Sequence, residues 1–242
     1  MTDERPAFYA LSPGGWRDYW TLLHPPYTVW HLSYVVIGAS LAPRVNVSWL
    51  LETIVAFFLA IGLAAHALDE LHGRPLRTRI PDGVLKAIAS FGLGGAVAIG
   101  VYGTIVARPW LWAYILVGGF LVIAYDLELF GGTFHSDLWF VLGWGAFPAL
   151  TAYFAQTGTI RVDAVLVAAA CAAMSAAQRT LSTPVRRLRR HVTDVRGELE
   201  YADGSTTPLR AATLRAVPEG ALRWLSVAMP LLAASMLVVR LA

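Results

Sequence analysis

The sequence has little charge, almost no lysine and a single cysteine. Charged residues make up 14% of its 242 positions and hydrophobic residues 57%, whereas about a quarter of a soluble domain is charged. Lys86 is the only lysine, so the basic residues are nearly all arginines. A lone Cys171 excludes an internal disulfide and a thiolate metal site. No basic face on a soluble fold is evident, which argues against binding of nucleic acid.

Long apolar runs place the chain in a membrane. Runs of about 20 residues can cross the hydrocarbon core as helices, so we expect an all-α, polytopic transmembrane bundle with about seven spans. The first 15 residues lack the basic segment and apolar run of a cleaved signal peptide. The predicted spans are residues 27–42, 49–68, 84–106, 110–127, 138–156, 162–181 and 222–241.

Arginines are divided unevenly between the two sets of loops. The loops on the side opposite the N-terminus, together with the C-terminus, contain only Arg44, Arg108, Arg161 and Arg240. The N-terminal side contains the remaining basic residues, including the run from Arg179 to Arg223. By the positive-inside rule, we expect a multi-pass protein of the cytoplasmic membrane with its N-terminus inside and its C-terminus outside.

Composition divides the chain into three regions. Residues 1–181 are expected to form the bundle that carries the site, 182–221 a basic cytoplasmic segment, and 222–242 the final transmembrane helix. Within the middle region, ELEYADGSTTPL predicts a short hairpin that turns at Asp203 and Gly204.

A first cluster of ionisable residues, HALDELHGRPLRTRIP, closes the second predicted span. Such residues are costly at the edge of a lipid-facing helix and therefore suggest function. If the helix continues, His66, Asp69 and Glu70 project on one face, where an imidazole and two carboxylates suit a divalent metal. Alternatively, the acids face water at the end of the span, and His66 packs between helices with one hydrogen bond.

Two groups of arginines are candidates for binding a phosphorylated substrate, because guanidinium groups match phosphate oxygens bidentately. Each group also has a plainer interpretation, as positive-inside residues or as a topology anchor that holds anionic lipid headgroups. Both interpretations stay open. The residues are Arg74, Arg77 and Arg79 after the first cluster, and Arg186 and Arg187 after the sixth span.

A second cluster, YDLELFGGTFHSD, joins the fourth and fifth predicted spans. Asp126 and Glu128 end the fourth span, and His135 and Asp137 precede the fifth, so all four are candidate metal ligands. Asp137 or Ser136 is equally suited to be the N-cap of the fifth span. Both clusters belong to the same side of the predicted topology, and we expect them to face each other across one site.

The two clusters together resemble the ubiquinone-biosynthesis (UbiA) prenyltransferase superfamily over roughly residues 20 to 160. AHALD followed by GRPLRTRIPDGVL is similar to the family's Asn-Asp-x-x-Asp motif and the Arg-Pro-Leu after it, with Asp69 as the matching aspartate. The stretch ending in WGAFPAL resembles the family's Trp-Gly-x-x-Pro segment. The resemblance implies a Mg²⁺-bound prenyl diphosphate at the cytoplasmic face, ionisation to an allylic cation, and a lipid-side tunnel for the tail. It implies that Asp69 and Glu70 are the catalytic metal-binding residues and that Arg74 and Arg79 hold phosphate oxygens.

Three functions remain open. The first is a metal-dependent prenyltransferase with an isoprenoid substrate. The second is a membrane metalloenzyme with Zn²⁺, Mn²⁺ or Fe that hydrolyses or oxidises a lipid, and the third is a non-catalytic protein that binds a lipid or quinone. Membrane lipid is the expected partner, nucleic acid is not, and a homo-oligomer is compatible with the sequence. The mixed ligand set of the second function is His66, Asp69, Glu70, Asp126, Glu128 and His135.

Overall fold

The fold consists of helices and one small hairpin. The computed structural model describes residues 5–242, so residues 1–4 of the predicted 1–181 region lie outside the described residues. The predicted all-α helical bundle is confirmed. The elements are α1 (Trp16–Leu22), α2 (Pro25–Ser40), α3 (Val47–Leu71), α4 (Asp82–Val106), α5 (Leu111–Asp126), α6 (Asp137–Thr157), α7 (Val162–Arg190), β1 (Glu198–Glu200), β2 (Thr206–Pro208) and α8 (Ala211–Leu241).

Five helices of the described chain, α3, α4, α6, α7 and α8, are long and apolar enough to cross a membrane. Their outward side chains suit lipid, since Ile105, Val162 and Val239 are each more than three-quarters exposed. Helices α2 and α5 have 16 residues each, about 24 Å of rise, against a hydrocarbon core about 30 Å thick. All seven predicted spans are helical, and the number that cross the membrane stays a prediction.

Helix α2 is the centre of the bundle and packs mainly against α6 and α8. Its Trp30 and Tyr34 are fully buried. Gly38 lies directly on the backbone of Ala149 in α6, where a Cβ would overlap the carbonyl group. Small residues allow helices in membranes to approach this closely.

Two of the long helices contain a π-helical stretch beside the predicted clusters. In α3 the stretch is Phe58–Ala65, which ends immediately before His66. In α6 it is Val141–Ala146, which includes Trp144. Such stretches interrupt the regular hydrogen-bond ladder and occur frequently at functional sites. Both therefore change the direction in which nearby side chains project.

The region between the last two spans is more helical than expected. Helix α7 continues through Pro184 to Arg190, and α8 begins at Ala211, so residues 191–210 are the non-helical part of the predicted 182–221 segment. The predicted hairpin is confirmed: β1 and β2 pair antiparallel. Gly204 takes the positive φ of 80° in its turn, a conformation that glycine adopts without steric cost.

The contact between α2 and α6 gives a stability prediction. Gly38→Ala should lower the melting temperature by several degrees, because overpacking of a tight core costs about 1–3 kcal/mol. Gly94→Ala in α4 is the matched control, since nothing lies within 4 Å of its added Cβ. Thermal unfolding of detergent-solubilised protein, followed by tryptophan fluorescence, compares the two. Equal melting temperatures for both variants would contradict this packing.

Candidate functional site

A polar cavity of about 330 Å³ lies at one end of the bundle, and residues 6–9 cover it. The ends of α3 and α5, the first half of α2 and the last turns of α7 form much of its wall. Its ionisable lining residues are His24, His31, His66, His135, Asp69, Asp126, Arg179, Arg186, Arg190, Tyr9, Tyr27 and Tyr125. Because ionisable groups are costly in an apolar bundle, their collection in one cavity indicates a functional site.

The cavity brings together residues from both sequence clusters. His66 and Asp69 reach it from α3, Asp126 from the last residue of α5, and His135 from the loop before α6. Of the five predicted phosphate-binding arginines, Arg186 lines it. The two clusters therefore face each other, in agreement with the expectation from their positions in the sequence.

Glu70 lies outside this cavity, although it was expected to share a face with His66 and Asp69. Its fully buried carboxylate accepts hydrogen bonds from the N–H groups of Leu76 and Thr78 and from the Thr78 hydroxyl, each at 2.9 Å. Successive residues are about 100° apart around a helix, so Glu70 turns away from Asp69 toward the loop after α3. Its carboxylate organises that loop.

Four of the predicted arginines also lie outside the cavity. Arg74 donates to two backbone carbonyls of its own loop, and Arg77 donates to the backbone carbonyl of Arg190 at 3.2 Å. Arg79 and Arg187 are exposed. Arg74 and Arg77 thus bind backbone carbonyls, whereas the side chains of Arg79 and Arg187 contact solvent.

Glu128 and Asp137 lie beside the cavity and do not line it. Glu128 is half exposed, with Oε1 4.0 Å from Nε2 of His135. Asp137 is mostly exposed and accepts a 2.7 Å hydrogen bond from Arg179. Ser136 supplies the N-cap hydrogen bond of α6, which settles the choice between Ser136 and Asp137. Asp137 therefore contacts a residue of the cavity lining, Arg179.

Three of the cavity imidazoles have a defined tautomer. A carbonyl oxygen only accepts hydrogen bonds, so an Nδ1 bound to one carries the proton and leaves Nε2 as an acceptor in the neutral ring. These bonds hold the rings in place and direct a lone pair away from the backbone. They join His31 to the carbonyl of Trp144 at 2.8 Å, His66 to Gly62 at 3.2 Å and His135 to Tyr125 at 2.9 Å.

His24 is held differently from the other three histidines. It precedes α2 in a left-handed conformation with φ 46°, and its ring stacks on that of His66 with centroids 4.1 Å apart. Its Nδ1 lies 2.9 Å from the Tyr9 hydroxyl. Burial, and then the neighbouring His66, lower the pKa of His24 well below its ordinary value. Burial likewise raises the pKa of Tyr9, so both groups are neutral at pH 7.

Four cavity side chains have buried polar atoms with no hydrogen-bond partner among the described residues. They are His24 Nε2, Tyr125 Oη, Asp126 Oδ2 and Gln178 Oε1. All four residues line the same cavity. Buried polar atoms are rarely left unpaired in proteins. The cavity is therefore suited to a polar ligand that hydrogen-bonds to several of these atoms.

Sequence reasoning missed several residues of the cavity. Arg179 and Arg190 lie seven residues before and four residues after the predicted Arg186, a spacing that puts all three on one face of α7. His24 and His31 are also seven residues apart. The arginine pattern is readable in the sequence once α7 is extended to Arg190. The contribution of Tyr9 has no such signal, because it comes from an irregular segment.

A second, apolar cavity of about 140 Å³ opens between α3, α4, α5 and α6. Residues such as Ala60, Leu93 and Val122 make its lining almost wholly apolar. Trp144 lines both this cavity and the polar one. Trp144 thus forms part of the wall of both the polar cavity and this apolar groove.

Two carboxylates of the polar cavity, those of Asp69 and Asp126, are candidate ligands for a divalent cation. Within residues 5–242, no three His, Cys, Asp or Glu side chains are arranged to hold a metal ion. Magnesium is usually bound by one or two carboxylates together with substrate phosphates and water. Asp69 and Asp126 supply two carboxylates in the cavity, and the unpaired Oδ2 of Asp126 suits a cation.

Comparison with known proteins finds no family model, no curated protein and no solved structure that matches this chain.

The position of Glu70 predicts a structural role. Glu70→Ala leaves two N–H groups and a hydroxyl without their acceptor and should cost at least about 2 kcal/mol of stability. Glu200→Ala, on the exposed strand β1, is the control and should leave stability unchanged. The melting temperatures of both variants in detergent test this, and a Glu70→Ala protein that melts with the wild type would rule out the role.

Proposed function

We propose that this chain is a metal-dependent prenyltransferase of the UbiA type, which binds a prenyl diphosphate with its head in the polar cavity and its tail in the apolar groove. The observation that carries the proposal is that Trp144 lines both the polar cavity and the apolar groove. One end of such a substrate is strongly anionic and the other is hydrocarbon. The resemblance at Asp69 and along α5 and α6 supports the same reaction.

The charges of the cavity favour a substrate that is bound with a divalent cation. Arg186 and Arg190 offset Asp69 and Asp126, and Arg179 is paired with Asp137. A diphosphate adds negative charge that these balanced side chains do not neutralise, and uncompensated charge inside a bundle is costly. Asp69 and Asp126 would hold Mg²⁺. A bound divalent cation would supply the positive charge that stabilises the leaving diphosphate.

The protein's own groups would position the substrate and stabilise its positive charge. Arg186 and Arg190 donate to phosphate oxygens, a contact for which guanidinium groups are well shaped. At the boundary of the two cavities, the rings of Tyr125 and Trp144 lie 4.5 Å apart, and Phe140 is parallel to Trp144 at 5.9 Å. Aromatic faces attract cations. This cluster would stabilise an allylic cation formed next to it.

The excess of arginine on the N-terminal side supports a cytoplasmic location for the polar cavity. The last turns of α7 supply three arginines to the cavity, and the arginines of the loop after α3 lie near the same end of the bundle. Positive residues collect on the cytoplasmic side of membrane proteins. A cytoplasmic opening would also give access to soluble Mg²⁺ and to diphosphate substrates.

Turnover of a radiolabelled prenyl diphosphate tests the proposal. Purified protein in lipid should release labelled diphosphate or prenylated product in the presence of Mg²⁺ and not with EDTA. Asp69→Asn should reduce this by at least tenfold, equivalent to about 1.4 kcal/mol. Asp163→Asn, in the first turn of α7 and half exposed, is the matched control and should retain full activity.

Two results would contradict this function. Zinc, manganese or iron that is bound stoichiometrically after purification, and lost in His66→Ala, would point to the mixed His and carboxylate metalloenzyme. Binding of the prenyl diphosphate without any turnover, across a range of acceptors, would leave a lipid- or quinone-binding protein.

A further inference from the structure

The irregular segment of residues 5–11, here called the N-terminal strap, is built into the wall of the polar cavity. Arg189 and Arg190 of α7 donate to the carbonyls of Arg5 and Pro6 at 3.1 and 3.4 Å. The strap is also fixed from α8, where the guanidinium of Arg223 lies 4.8 Å from the ring centre of Phe8. These contacts hold Tyr9 in the cavity.

The hydrogen bond between Tyr9 and His24 has a direction that can be deduced. If the phenol of Tyr9 donates to Nδ1 of His24, the N–H at Nε2 is the one group of this pair that stays unpaired among the described residues. If instead Nδ1 donates, both the phenol proton and the Nε2 lone pair stay unpaired. Unpaired buried groups are costly, so the first arrangement is preferred. His24 therefore carries its proton on Nε2, opposite to the other three cavity imidazoles.

The backbone supports a dedicated role for His24. A residue other than glycine at positive φ is uncommon and strained, although histidine and asparagine tolerate it best. His24 adopts this conformation immediately before Pro25 and Pro26. The chain thus holds an unfavourable conformation at the residue whose buried N–H has no acceptor among the described residues.

We propose that His24 contacts the bound head group by donating a hydrogen bond from Nε2 to one of its oxygens, and that Tyr9 is the positioning residue that fixes this tautomer. The identity of the head group as a diphosphate rests on the proposed function. The direction of the hydrogen bond rests on Tyr9 and His24 alone. In the cavity His24 then selects ligands that accept at this point, whereas Nε2 of His31 and of His66 is left to accept hydrogen bonds.

Two substitutions of His24, each of which keeps a polar group near only one of the two ring nitrogens, test the contact. Asparagine places an amide near the Nδ1 position, and glutamine places one near Nε2. With geranylgeranyl diphosphate and Mg²⁺ as the probe, His24→Asn should weaken binding by about tenfold or more, and His24→Gln should stay within about threefold of wild type. Backbone strain predicts the opposite order, since asparagine tolerates the left-handed conformation better than glutamine.

Tyr9→Phe keeps the ring but removes the phenol, and should weaken binding by about three- to tenfold. Equal binding by wild type, His24→Asn and His24→Gln, with loss of binding in Asp69→Asn, would overturn the contact and leave the proposed function intact.

The tautomer itself gives a test that does not depend on the substrate. In protein labelled with ¹⁵N-histidine, ring-nitrogen NMR shifts should assign the proton of His24 to Nε2, and this preference should be lost in Tyr9→Phe. His24→Asn identifies the signals. A proton on Nδ1 in the wild type would overturn the inference, whatever the probe does. If geranylgeranyl diphosphate does not bind to the wild type, the proposed function fails, and this measurement alone decides the role of His24.

Discussion

The structure depends on the cost of ionisable side chains inside an apolar helical bundle. A chain with so few charges nevertheless places the buried or half-buried Asp69 and Asp126 in one cavity with Arg186 and Arg190. Each of these groups would be costly if it faced lipid alone, and a shared polar cavity lowers that cost. The ends of α3, α5 and α7 are therefore required to lie together. This requirement orders one end of the bundle and produces a site there.

Structural features next to the polar cavity hold its side chains in place. The π-helical stretches of α3 and α6 lie next to the cavity, and the carbonyls of Gly62 and Trp144 within them hold His66 and His31. Glu70 closes the loop after α3. Residues that looked alike in the sequence thus divide into two roles, since some line the cavity and others fix the backbone around it.

Hydropathy and turn chemistry were sufficient to predict the helices and the hairpin, because both are local properties of the chain. The meeting of the two ionisable clusters was also predictable, since both lie on one side of the expected topology. Glu70 was expected among the cavity residues because it lies four residues, about one helical turn, after His66. Its rotation of about 100° from Asp69 around the helix instead points it away from the cavity. The roles of Arg179, Arg190 and Tyr9 depended on the length of α7 and on an irregular segment, which periodicity does not determine.

The binding position of the diphosphate can be seen in a crystal structure grown from a lipidic mesophase with Mg²⁺ and a non-hydrolysable prenyl thiolodiphosphate. We expect the phosphorus atoms to lie in the polar cavity between Asp69 and Arg186, with the hydrocarbon chain passing Trp144 into the apolar groove. A diphosphate bound instead at the exposed loop that carries Arg77 and Arg79 would contradict this expectation. So would Asp69 and Asp126 side chains that face solvent separately.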